Sequence, residues 1–419
     1  MQTKCRFLFL IFVFVLTTHR FCYGQDSFYA RQVIKDLCSE KMHGRGYVKK
    51  GDQNASIYIS KEFQFAGLEK LSKGYYQEFT HSVNTFPSSM YVKLDTAVLQ
   101  AGVQFIVDPK SPSAKGSYLI EETNALPDQY SERALRYRFV YVNPKGLSSE
   151  DSLKLMAAWK EDKRAAGYIF RHKKLTWSVG TEVMEKPMIY LLNDSVAKSF
   201  KHIELSIKNK FISRYKSRNV VAYVKGKVKP DSMIVVSAHY DHLGRMGKTA
   251  LFPGANDNAS GVALMLNLVK HYALTENKPD YSILFIAFAA EEAGLKGSLH
   301  YTQNPLKPLS KIKFLINLDL TGTGDEGITV VNATEFPEHF DRIKKINEEE
   351  NYFTYVGSRG KAKNSDHYYF SEAGVPSFFI YTMGGIKAYH DIYDIPETLP
   401  LTRYRQLFRL IDDFIKGIH

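Results

Sequence analysis

Cysteine is scarce in this chain. Three occur in 419 residues, and two of them, Cys5 and Cys22, fall within the first 24. Those 24 residues read as a secretory signal peptide. Lys4 and Arg6 supply a positive start, residues 7–16 (FLFLIFVFVL) an apolar stretch, and the triplet Cys22, Tyr23 and Gly24 a cleavage site. The apolar stretch is well short of the ~20 residues a membrane-spanning helix needs, so the mature chain is expected to have no integral membrane span. Lipid attachment at Cys22 is disfavoured by Arg20 and Phe21 before it, where a small residue is wanted. The expected location is therefore periplasmic or extracellular. With the leader gone, Cys38 stands alone and an internal disulfide is excluded. An exported chain without one must be stabilised by core size or by a bound metal.

Other absences narrow the class further. No short-period repeat or low-complexity tract occurs, and the composition, 44% apolar and 24% charged, is that of a globular protein. The net charge is +12, or +9 without the three leader bases, but the basic residues are scattered (KSRN, KGKVK, SRGKAKN) rather than massed. Nucleic-acid binding needs a basic face on a recognised module, and none is found. The roughly 395 residues that remain favour two domains.

From Met233 onward, buried strands alternate with helices. MIVVSAHYD, YSILFIAFAA, IKFLINLDL, GITVVN and PSFFIYTM predict strands. Residues 260–274, with Ser260 as a possible cap, and the segments LKGSLHYTQ, FPEHFDRIKKINEEEN and YRQLFRLIDDFIKGI predict helices. The pattern predicts an α/β fold, a mainly parallel mixed sheet flanked by helices. Residues 85–205 differ, with short β-like pieces and one helical stretch, and predict an inserted smaller β-rich domain. Residues 25–84 and 206–419 then form the main domain, with two early helices in SFYARQVIKDL and NASIYISKEFQFAGL.

Acids and histidines recur just past the predicted strand ends, where open α/β sheets bind ligands. His239 and Asp241 follow the first strand and, two apart, point the same way; His242 reads as a bystander. Asp257 sits in a Pro-Gly-Ala-Asn-Asp loop before a helix, where a turn or cap is the plainer explanation of it alone. Glu291 and Glu292 end the second strand. At a strand end two neighbours can diverge, one toward a metal and one toward its water, where a carboxylate is a general base. Asp319 lies between Leu318 and Leu320, a costly place for an unpaired charge. Asp366 and His367, then His390, Asp391 and Asp394, come later. Gly322–Gly327 fits a dinucleotide fingerprint, but a strand rather than a helix follows and Asp325 and Glu326 would repel a pyrophosphate; a hairpin-like turn is expected there.

The ordered set SAHYDH, PGANDNASG, AAEEAGLKGS, INLDL, NSDHYYF and YHDIYDIPETL resembles the M28 metallopeptidases. Residues 25–85 and 205–419 carry the resemblance, and MHGRGYVKKGDQNASIYISKEFQFAGL is similar to that family's N-terminal helical segment. The resemblance implies a zinc exopeptidase-like fold and hydrolysis of peptides, most readily as an aminopeptidase. It implies two Zn2+ per chain, one on His239 and Asp319, one on Glu292 and His390, with Asp257 bridging. Glu291 would be the general base and Asp241 would orient His239. A tyrosine that some relatives carry before Ser-Asp-His is replaced here by GKAKN, so Lys363, Asn364 or Tyr389 could take its place. Residues 85–205 are faintly similar to the protease-associated domain inserted in many relatives, which implies a wall or cover for the cleft. A single-zinc glutaminyl cyclase and an inactive binding module are the alternatives. Counting zinc tests the first, and the full set of ligands argues against the second.

Overall fold

The computed structural model describes residues 27–418 apart from 194, 197 and 198. The leader and its two cysteines lie outside the described residues. The main sheet has nine strands: β1 (Glu69–Lys70), β2 (Tyr76–Thr85), β3 (Lys210–Val224), β4 (Lys229–His239), β5 (Tyr281–Phe288), β6 (Ile312–Leu318), β7 (Gly327–Val331), β8 (Val356–Arg359) and β9 (Ser377–Met383). The order across it is β1-β3-β5-β4-β6-β9-β7-β8, with β2 paired to β3. The central pairs β5–β4, β4–β6 and β6–β9 are parallel, and antiparallel pairs flank them.

Parallel strands covered on both faces read as continuous apolar runs. All eight residues of β5 are buried, as are Met233 to His239 of β4. Alternate side chains enter opposite cores. Ile234, Val236, Ile283 and Phe285 join the larger core, built with helices Ser27–Leu37, Gly51–Phe65, Gly261–Ala273 and Tyr404–Lys416. Val235, Leu284 and Ile286 join a smaller core with Tyr301 and Phe370. Register aligns the strand ends: His239 pairs with Phe288, and Ser237 with Asn317. The chain just past β4, β5 and β6 therefore converges on one place.

Between β2 and β3 the chain builds a second, eight-stranded sheet spanning Tyr91 to Ile207, with the helix Ser149–Glu161. Its core holds Phe139, Tyr141, Trp159, Tyr168 and Trp177, and extends into Leu243, Met246 and Phe252 of a small hairpin of the main body. The two bodies thus share apolar packing.

Two local expectations are corrected and a third is refined. Ser260 is not a helix cap; it is already helical, its hydroxyl bonds back to the Asn256 carbonyl at 2.7 Å, and the helix is entered through Ala255–Ser260. Gly322–Gly327 does not turn a hairpin, because β9 lies between β6 and β7; Gly324 and Glu326 donate their N–H groups to the Met383 carbonyl instead. The segment starting MHGRG opens as an irregular turn, with His43, Gly44 and Arg45 all at positive φ, before the helix Gly51–Phe65.

Candidate active site

His239 closes β4 and is buried. Beyond β5, Ala290 takes a positive φ of 57°, and the Glu291 carbonyl accepts from Gly294 and Leu295, so the chain turns sharply and the two glutamates separate. Asp257 lies in the loop after the hairpin. Gly254 makes that loop possible: at φ +64° a Cβ there would sit 2.1 Å from the Asp257 carbonyl oxygen and 2.4 Å from the His242 ring. Asp319 follows β6, and His390, at φ 54°, comes from the segment after β9.

These residues meet. His239 Nε2 lies 3.4 Å from Asp257 Oδ1 and 3.4 Å from Asp319 Oδ1. His390 Nε2 lies 3.0 Å from Asp257 Oδ2 and 3.3 Å from Glu292 Oε2. Asp257 therefore presents one oxygen to each histidine. All five line one cavity of about 410 Å3 together with Glu291. The ion pairs at the end of β5 fall on Glu292, leaving Glu291 beside them on the cavity wall.

Supporting contacts fix the set. The Asp241 carboxylate accepts from the Glu291 N–H at 3.1 Å, the Glu292 N–H at 3.3 Å and the Tyr47 hydroxyl at 3.2 Å. His239 Nδ1 meets the Asp241 backbone carbonyl at 3.2 Å, against 3.9 Å to its carboxylate. Asp241 thus orients His239 through its main chain, while its side chain is occupied by the turn after β5. His242 is not a bystander: buried completely, its Nδ1 lies 2.8 Å from Glu292 Oε1. Asp319 Oδ2 accepts from Ser365, which accepts from Asn317, which accepts from Ser237. Asp394 takes the N–H groups of Asn256 and Asp257 at 2.8 and 3.0 Å and so pins the aspartate loop. Asp366 and His367 are both buried, and burial lowers His367 to about 3.

Two residues were invisible to sequence reasoning. Arg45 is wholly buried and donates to the carbonyls of Leu37, Tyr240, Pro253, Gly254 and Asp257, tying the N-terminal turn to the loop that bears Asp257. Its flanking glycines were the available signal: a Cβ on Gly44 or Gly46 would lie within 2.5 Å of Gly244 backbone atoms. Trp177, from the second body, faces His390. Its carbonyl lies 3.0 Å from His390 Nδ1, its N–H donates to the His390 carbonyl, and its indole bonds Val107 and stacks on Phe252. An acceptor on Nδ1 fixes the tautomer and leaves the Nε2 lone pair facing the acids, the arrangement a metal-ligating histidine needs.

Electrostatics point the same way. Burial pushes the Glu291 carboxyl well above its usual range, and Glu292, Asp366 and Asp319 push it further. Burial alone would lower His239, yet Asp319 and Glu291 raise it well above the ordinary imidazole range. Crowded acids of this kind are relieved by a cation. His239, Asp257 and Asp319 each offer an atom, all within 4.8 Å of one another, as do His242, Asp257 and Glu292. Imidazole nitrogen with carboxylate oxygen is a donor set that suits Zn2+, so the residues fit that ion.

Comparison with known proteins agrees with this geometry. Residues 219–415 match the model of Peptidase family M28. The aminopeptidase YwaD of Bacillus subtilis is 34% identical over 184 residues, 42% of this chain and 37% of that one. A probable leucine aminopeptidase of Arthroderma otae is 31% identical over 173 residues, 40% of this chain and 47% of that one. These alignments span less than half the length of either relative. Among solved structures, a zinc aminopeptidase from Bacillus subtilis superposes with a TM-score of 0.70 at 20% identity, over 93% of this chain and 94% of that one. A peptidase M28 precursor from Shewanella amazonensis gives 0.72 at 19% identity, over 94% of each. At that identity the likeness speaks for the fold. Over residues 219–415, just under half of its length, the chain is similar to peptidase family M28, and the curated relatives it matches include aminopeptidases.

Proposed function

We propose that the chain is an exported, zinc-dependent exopeptidase, an aminopeptidase, that hydrolyses peptides with Glu291 as general base. The observation that carries this is the division of labour at the end of β5, where Glu292 meets two histidines and Glu291 stays on the cavity wall. In this reading His239 and Asp319 hold one zinc ion, Glu292 and His390 the other, and Asp257 reaches both. His390 is preferred to His242 because its Nδ1 is anchored and its ring lines the cleft. Bound there, the two ions would supply a water acidified toward neutrality and polarise the scissile carbonyl. Glu291 takes the proton of the attacking water and delivers it to the leaving nitrogen. Asp241, by holding both the 291 and 292 N–H groups, keeps base and ligand at a fixed spacing.

The second sheet is read as the inserted domain, and its Trp177 and Ser178 support a role as a cleft wall. Export rests on the sequence of the first 24 residues. Among the described residues no helix is long and apolar enough to cross a membrane.

The test is a screen of the zinc-loaded protein. Leucyl-p-nitroanilide should be cleaved, its N-acetyl form should not, and a chelator should abolish turnover. Cleavage of the blocked substrate alone would exclude the aminopeptidase, and turnover that survives full zinc removal would exclude the metal mechanism. A second expectation concerns Trp177→Ala. Losing its bond to Val107 and its stack on Phe252 frees the carbonyl that holds His390. Zinc affinity at one of the two positions should fall by about 10–100-fold, the usual cost of losing a supporting contact. Competition against a fluorescent chelator reads it, and unchanged affinity would show that Trp177 does not set His390.

A further inference from the structure

The basic stretch SRGKAKN, scattered charge by sequence, comes to the cleft. Arg359, the last residue of β8, and Lys363 both line the cavity that the acids and histidines line. Apart from those acids and histidines they are the charged residues of its lining, and both are cations. Nearby Lys361 is neutralised by Glu372. Arg359 Nη1 instead donates to the hydroxyl of Tyr381, which lines the same cavity, at 3.3 Å, and the Lys363 ammonium rests over the Tyr368 and Tyr369 rings at 5.5 and 5.1 Å. Neutral partners of this kind hold a cation in place without quenching its charge. Phe379 and Leu320 line the same cavity and supply apolar surface for the stem of a ligand. At about 410 Å3 the cavity is of small-ligand size, within the range of roughly 300–1,000 Å3 that holds compact molecules.

We propose that Arg359 and Lys363 form an anion subsite, so that the preferred substrates are short peptides bearing a carboxylate within reach of the scissile bond. The proposal rests on the peptidase reading for where the scissile bond lies. A guanidinium and an ammonium both bind carboxylate, the former in a bidentate fork. The carboxylate has two sources, the C-terminus of a dipeptide or an acidic side chain on the first residue.

Two pairs of ligands separate these sources: Leu-Ala against Leu-Ala-amide, and Glu-Ala-amide against Gln-Ala-amide. Dissociation constants are measured by calorimetry on the zinc-loaded Glu291→Gln protein, and kcat/KM on the wild type. In at least one pair the carboxylate form should bind about tenfold more tightly, the scale of a charge-assisted contact. Preference in the first pair assigns the C-terminus, and in the second the side chain. Adding Arg359→Met with Lys363→Met should bring the ratio to parity, while Arg359→Lys should retain part of it. Parity in both pairs, or a preference that survives the double substitution, overturns the proposal. A binding preference that disappears with the two cations, in a protein that cleaves none of the four ligands, upholds the anion subsite and removes the peptidase reading.

Discussion

Glu291→Gln is expected to lower kcat by about 10²- to 10⁴-fold, the contribution of a positioned general base, while zinc content stays at the wild-type value. Glutamine has nearly the same shape, and the 291 N–H remains bonded to Asp241, so the turn after β5 is undisturbed. What is lost is the ability to take and return a proton. Glu292→Gln makes the contrast. That side chain meets His242 at 2.8 Å and His390 at 3.3 Å, so its loss should lower metal affinity as well as turnover. Metal analysis with steady-state kinetics on both variants reads the difference. Normal turnover in Glu291→Gln would remove Glu291 from the role, and equal metal loss in both would erase the distinction between them.

The second large effect is expected at Asp257. One carboxylate faces His239 with one oxygen and His390 with the other, so its removal touches both halves of the site. Asp257→Ala should weaken retention of both zinc ions by more than the 10–100-fold that a supporting residue costs, and turnover should become undetectable. His239→Ala should weaken one ion and spare most of the other. The check is zinc per chain after dialysis against graded chelator. Loss of a single ion in Asp257→Ala would mean that the residue serves one metal and does not bridge two.

Much of this site was legible because its parts stand at strand ends. The run before Glu291 is continuously apolar and those before His239 and Asp319 are broken only by Ser237, Lys313 and Asn317, which marks buried parallel strands, and a buried strand that stops at an acid draws attention to that acid. Register then did what sequence alone could not and brought the three ends level. The rest was hidden for identifiable reasons. Arg45 acts on main-chain carbonyls, and a carbonyl leaves no trace in residue identity. Trp177 acts through its own carbonyl on a histidine 213 positions away. Asp394 resembles any loop acid until its two N–H partners are seen. The long β3 was missed because its first half, KFISRYKS, is largely exposed and polar, the composition of a surface loop.

The Trp177 carbonyl has a consequence for how such a chain can change over generations. Val107, Phe252 and Trp177 carry no catalytic chemistry, and drift at any of them would ordinarily pass as repacking. Because the indole they hold fixes the carbonyl that faces His390, such drift is felt at His390 and, on the proposed function, at the zinc it would hold. The second sheet therefore cannot be exchanged as a detachable module. A shuffled gene that replaced it would have to bring, at the same point in space, another oxygen for His390 Nδ1.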